Sequence, residues 1–261
     1  MRHLAVFDLD GTLVDTPRAI VETFSAAFAS LGEPVPDSAA IRATIGIPLE
    51  RAFGSLLGVD PEDPYVRRGI EQYQLHFREL ILPRASELLY PGVEPGLRRL
   101  HAQGVALAVA TNKFHASADA LLRAAGLREL FAQVVGADDV SNHKPHPESG
   151  LLILRTLDIP ADRAVMVGDT THDLLMANAA GLRSVAVTYG IHSPEELATA
   201  APTWTAHTFD EVVTHLEAVL LPASESLLPP APEAARPPAP ETARPPAPEA
   251  ALPLAPEGAA T

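Results

Sequence analysis

The sequence predicts an α/β protein built on a parallel sheet, and three features carry that reading. Short apolar runs alternate with helical patterns, a long strand-free stretch interrupts the alternation near the amino terminus, and the composition changes abruptly near residue 222. Strands alternating with helices make βαβ units, whose crossovers impose parallel pairing.

Leu4 to Leu9 is the first candidate strand, an apolar run too short for a helix and closed by Asp10-Gly11. Residues 15–89 carry no convincing strand. Thr16 with Pro17 reads as a helix start and Gly32 as its stop, with Ile20, Phe24, Ala27, Phe28 and Leu31 at helical spacing between them. Val66, Ile70, Tyr73, Phe77 and Leu80 repeat that spacing, so the stretch is expected to be an all-helical insert with Tyr90-Pro91-Gly92 as its return hinge. Alternation then resumes. Strands are expected at Val105 to Thr111, Gln133 to Ala137, Ala164 to Gly168 and Ser184 to Thr188, with a weaker one at Trp204 to Thr208. Helices are expected between them, at Val93 to Gln103, Ala116 to Ala125, Pro147 to Asp158, Thr171 to Ala180 and Asp210 to Leu221.

From Pro222 the chain turns to proline, alanine and glutamate, and PPAPEAAR (Pro229 to Arg236) recurs as PPAPETAR, PPAPEAAL and PLAPEGAA. Prolines remove backbone donors and few large aliphatics are left to bury, so residues 222–261 are expected to be a disordered tail, partly polyproline II. It reads as a passive solubilising segment; docking of a partner through Pro237-Pro238-Ala239-Pro240 is the alternative.

A net charge of −14 argues against nucleic-acid partners and anionic membrane surfaces, both of which need basic patches. The absence of cysteine excludes thiolate nucleophiles, disulfides and cysteine metal sites. No run approaches the roughly 20 apolar residues of a membrane span, and Met1-Arg2-His3 leads into one too short for a signal peptide. The expected setting is the cytoplasm.

Chemistry concentrates at the strand tips. Asp8-Leu9-Asp10-Gly11-Thr12 follows the first strand, and composition alone should give such a pattern in on the order of one chain in a thousand of this length. Thr111 ends the second strand, Lys144 precedes the helix beginning near Pro147, and Asp169 and Asp173 follow the fourth strand. Parallel strands side by side bring such tips into one crevice. The set suits phosphoryl transfer: a carboxylate can attack phosphorus, a second acid can manage protons, a cation and a hydroxyl can hold oxygens, and Mg²⁺ is bound by one or two carboxylates. His143, His146 and His172 lack an ordered ligand spacing and are read as solvent-facing rather than metal-binding.

In this order and context the residues resemble the haloacid dehalogenase superfamily of hydrolases over roughly Arg2 to Leu221, and within it the phosphoglycolate phosphatases. The resemblance implies a Rossmann-like core over 1–14 and 90–221, a mobile helical cap over 15–89, and hydrolysis of a small phosphorylated metabolite. It implies Asp8 as nucleophile and Asp10 as general acid/base. Gly11, Thr111, Asn112 and Lys144 would hold the phosphate, with Gly11 and Asn112 giving backbone donors. Thr12 would help place Asp10. Asp8, the backbone carbonyl of Asp10 and Asp169 would bind Mg²⁺, with Asp173 supporting the metal or Lys144. Asp10 separates the chain from metal-independent dehalogenases, and Leu49 weakens a phosphosugar mutase reading because a mutase-like cap carries Arg there. Pyrophosphatase and mutase activities stay as alternatives, as does a phosphate-binding scaffold acting through its tail. Arg42 or Arg51 is expected to meet a substrate carboxylate from the cap.

Deleting residues 222–261 is expected to leave turnover and the thermal midpoint nearly unchanged. Steady-state kinetics and thermal unfolding check this, and a large loss of either would mean that the tail docks on the domain.

Overall fold

The computed structural model describes residues 2–221, so the tail expected over 222–261 lies outside the described residues. Six strands form one parallel sheet: β1 (Leu4–Phe7), β2 (Ala106–Ala110), β3 (Phe131–Val135), β4 (Ala164–Gly168), β5 (Arg183–Val187) and β6 (Trp204–Ala206), in the order β3-β2-β1-β4-β5-β6. The chain order reverses at β1, whose neighbours are β2 and β4, and such a switch point opens a crevice beyond the strand carboxyl ends. In register, Phe7 lies opposite both Val109 and Val167, so Asp8 stands level with the ends of β2 and β4.

β1 is fully buried because both sheet faces are covered, which is why it reads as a continuous apolar run rather than an alternating one. Ala5 and Phe7 face the larger core, together with apolar residues of α5 (Val93–Ala102), α6 (His115–Ala124) and α10 (Phe209–Leu220). Leu4 and Val6 face a second core completed by α7 (Glu148–Leu157) and α8 (Thr171–Ala180).

Between β1 and α5 the regular structure of the described chain is helical apart from two isolated bridges, as the spacing predicts: α1 (Pro17–Leu31), α2 (Ser38–Arg42), α3 (Leu49–Leu57) and α4 (Pro64–His76). Its entry and exit run side by side. Val14 bridges Leu89 in antiparallel fashion, Asp15 N–H donates to the Leu88 carbonyl at 2.7 Å, and Tyr90 N–H donates to the Leu13 carbonyl at 3.1 Å. The insert has an aromatic core in which Phe53 lies 4.9 Å from Phe24 and 5.7 Å from Phe28 between ring centroids. Gly69 makes room for it, since a β-carbon there would come within 2.7 Å of the Phe53 ring.

Two expectations are corrected. The third strand begins at Phe131 and ends at Val135, two residues earlier than expected, because Gly136 already turns away with its N–H bonded to Asp139. Helical spacing also fails at Leu80, which is exposed while Ile81 is buried. The chain widens into a π-helical turn over Phe77–Ile81, and the wider turn shifts the phase of the buried face by one residue.

Phe53→Ala is expected to destabilise the protein by about 3–5 kcal/mol, because the truncated ring leaves a cavity among packed aromatics. Urea unfolding followed by circular dichroism measures it.

Candidate active site

The site begins with the turn after β1. Gly11 has φ of 87°, and a β-carbon there would overlap the Asp169 carboxylate, so both the turn and the close approach require glycine. This turn leaves Asp8 buried at the switch point. Asp8, Asp169 and Asp173 bring carboxylate oxygens within 4.8 Å of one another. Lys144 Nζ lies among them, 2.9 Å from Asp8 Oδ1 and 2.5 Å from Asp173 Oδ1, and donates to the Ala110 carbonyl at 2.9 Å. Asp8 Oδ1 thus sits beside the ammonium, while the Asp8 side chain also lines the cleft in front of it.

Each acid is held differently. Asp169 Oδ1 accepts from the Thr12 hydroxyl at 2.7 Å and Oδ2 from Ile191 N–H at 2.9 Å. Asp173 Oδ2 accepts from the backbone and hydroxyl of Thr170 at the start of α8, where the helix dipole also favours a carboxylate. Asp10 lies outside this cluster, with Oδ1 accepting from Thr16 at 2.8 Å and Oδ2 paired with Lys113 Nζ at 3.0 Å.

Burial pushes the Asp8 carboxyl up to about 7; Lys144 pulls it down and Asp173 raises it again. Burial likewise raises Asp169 well above the carboxylate range, with Asp173 and Asp8 adding to it. For Lys144 burial acts downward, but Asp173 and Asp8 outweigh it and hold the ammonium above its usual range. Three carboxylates against one ammonium leave a deficit of two positive charges when all are ionised. Hard oxygen donors with that deficit fit a divalent cation such as Mg²⁺.

The structure brings Asp8, Asp10, Thr111 and Asn112 to one cleft and Lys144, Asp169 and Asp173 directly behind it. It corrects several details. Gly11 N–H donates to the Val14 carbonyl at 2.9 Å and is already committed, whereas among the described residues the N–H groups of Leu9 and Asp10 donate to no protein acceptor. Thr12 holds Asp169 instead of Asp10, because its hydroxyl points across to the β4 tip. Thr16 takes the Asp10 role, and its hydroxyl gives no cap to α1. Asn112 uses its side chain as a clamp: its amide donates to the Gly46 and Lys144 carbonyls and its oxygen accepts from Lys144 N–H. Arg42 and Arg51 are exposed and line no part of this cleft; Arg51 borders a separate depression beside His143 and His146. The residue sequence reasoning missed is Lys113, whose buried ammonium lies 4.6 Å from the centre of the Phe77 ring as well as on Asp10. Its only signal was adjacency to Thr111-Asn112.

A parallel sheet with clustered carboxylates and a buried lysine at its switch point defines an α/β protein with a candidate catalytic site beyond the end of the first strand. Residues 5–187 match the family model described as haloacid dehalogenase-like hydrolase. The chain belongs to this family, and it is a phosphatase. It is 53% identical over 220 residues to "Probable phosphatase IndB" of Dickeya dadantii, covering 84% of this chain and 96% of that one. It is 33% identical to a phosphoglycolate phosphatase of Vibrio cholerae, covering 84% of this chain and 98% of the other. A haloacid dehalogenase-like family hydrolase from Streptococcus pneumoniae superposes with a TM-score of 0.69 at 27% identity, over 82% of this chain and 98% of the other.

Because the Asp8 pKa is raised above its unfolded value, protonated Asp8 favours the metal-free fold, and that contribution is lost as pH rises through about 7. A divalent cation must displace the same proton. Burial favours a proton on Asp169 as well, so the cation's apparent affinity is expected to rise by about tenfold or more per pH unit through the neutral range, as checked by calorimetric titration with Mg²⁺.

Proposed function

We propose that this phosphatase hydrolyses a small phosphate monoester by two successive displacements at Asp8, with Mg²⁺ as its cofactor. The observation that carries the reading is the Asp8 carboxylate, held by Lys144 at the sheet's switch point and lining the cleft, with a second, separately oriented acid two residues on. A carboxylate fixed in place by a lysine and facing a cleft is a competent nucleophile once ionised.

In this reading the substrate phosphoryl group meets the hydroxyl of Thr111 and the N–H groups of Leu9, Asp10 and Asn112. Asp8 attacks phosphorus as the ester oxygen departs, giving an aspartyl-phosphate. Asp10, held by Thr16 and Lys113, gives its proton to the leaving alkoxide. The same carboxylate then takes a proton from the water that attacks phosphorus, which frees phosphate and restores Asp8. Asp8, Asp169 and the Asp10 carbonyl would hold Mg²⁺, with Asp173 behind them; when bound, the ion offsets the charge of phosphate against carboxylate. Lys144 keeps Asp8 and Asp173 apart in charge and fixes the Asp8 side chain.

Residues 15–89 are read as a cap over the site, consistent with Gly46 accepting from Asn112 and with the paired linkers at its base. Phosphoglycolate is the substrate named for several relatives and is the first compound to assay, in keeping with a cytoplasmic metabolite.

Asp8→Asn is expected to lower Mg²⁺-dependent kcat by about three orders of magnitude or more. It should also raise the metal-free thermal midpoint at neutral pH, because it removes a buried charge that burial disfavours. Substantial residual turnover would overturn the nucleophile assignment.

A further inference from the structure

Resting on the phosphatase reading, we propose that the alcohol esterified in the substrate is uncharged and turns an apolar face to the helical insert. The cleft in front of Asp8 and Asp10 is lined by strand tips of the sheet on one side and by the helical insert on the other. Its charged lining side chains are Asp8, Asp10 and Lys113, all from strand tips of the sheet. The insert contributes Ile20, Phe24, Ile45, Ile47, Leu49 and Tyr73, and no charged side chain.

Lys113 is the one ammonium in that lining, and two neighbours hold it in place. Its Nζ pairs with Asp10 at 3.0 Å and rests on the Phe77 ring. A carboxylate or second phosphate on the leaving group would have to draw Lys113 off both Asp10 and the Phe77 ring, or go without a counter-charge against apolar side chains. An unpaired buried charge of that kind is strongly disfavoured. An apolar face in the same place removes its own surface and that of Ile45 and Leu49 from water. The hydroxyls of Tyr73 and Ser117 also border the cleft and make no hydrogen bond among the described residues, so neutral oxygens on the alcohol would find donors there. The two residues closest in role to a selectivity filter are Ile45, buried, and Leu49, half-buried, at the two ends of the loop whose Gly46 carbonyl is tied to Asn112.

The test compares benzyl phosphate with 2-phosphoglycolate, using the full chain with Mg²⁺. Both are alkyl esters, so the comparison does not simply reward a more acidic leaving group. The expected result is a preference of about tenfold or more in kcat/KM for benzyl phosphate, the scale on which apolar pockets discriminate. Leu49→Arg is expected to narrow or reverse that ratio by supplying a cation from the insert. Binding of both esters to the Asp8→Asn variant, measured by calorimetry, gives the same ranking without turnover. Equal or better use and binding of 2-phosphoglycolate by the unaltered cleft overturns the inference. Failure to hydrolyse any ester, with the binding preference intact, overturns the phosphatase reading and supports this one.

Discussion

Three carboxylates gathered within 4.8 Å around one ammonium are the constraint on which the rest of the structure turns. Two like charges at that separation repel by about 3 kcal/mol at an effective dielectric near 20, so such a cluster forms only where the fold imposes it. The fold imposes it through strand order. Because β1 lies between β2 and β4, the acids following β1 and β4 emerge next to each other, and the loop carrying Lys144 closes over them. Glycines then set the spacing: side chains at Gly11 or Gly190 would collide with Asp169, and one at Gly168 with Asp173. Interactions that elsewhere would only stabilise local structure are diverted to the site around this cluster. Thr16 stands at the start of α1 and gives that helix no side-chain cap, because its hydroxyl orients Asp10.

Much of the fold was legible because buried parallel strands and amphipathic helices leave different apolar periods. Ala164–Gly168 and Thr171–Ala180 have the bounds their spacing predicts, since a dense apolar run and a clear turn flank each. Phe131–Val135 was misread by two residues because Gln133 interrupts its apolar pattern. Leu80 was misassigned because a π-helical turn changes the residues per turn without a sequence mark that periodicity can register.

The site was legible in residue type and order, less so in who touches whom. Asp8, Lys144, Asp169 and Asp173 converge because strand tips converge, which topology alone dictates. The partners of Thr12 and Thr16 depend on hydroxyl direction within a tight turn, and spacing carries no information about that. The commitment of Gly11 N–H to Val14 follows from the same turn. Arg42 and Arg51 were attractive as cations on a helical segment, yet helical phase and packing turn both outward, leaving aliphatic and aromatic groups toward Asp8. Lys113 was overlooked because a lysine beside a strand end is ordinarily solvated; here an aromatic ring and a carboxylate enclose it.

The chain leaves and re-enters the sheet through one short ladder, Leu13 to Asp15 against Leu88 to Tyr90. Excising everything between would bring together ends that already lie beside each other, so closing the gap with a short turn would carry little entropic penalty. The helical segment is thus joined to the sheet's chain path at one place, beside the acids. A segment of different length or lining, grafted at Asp15 and Leu88, would inherit the same phosphorus chemistry while presenting a new surface to the alcohol.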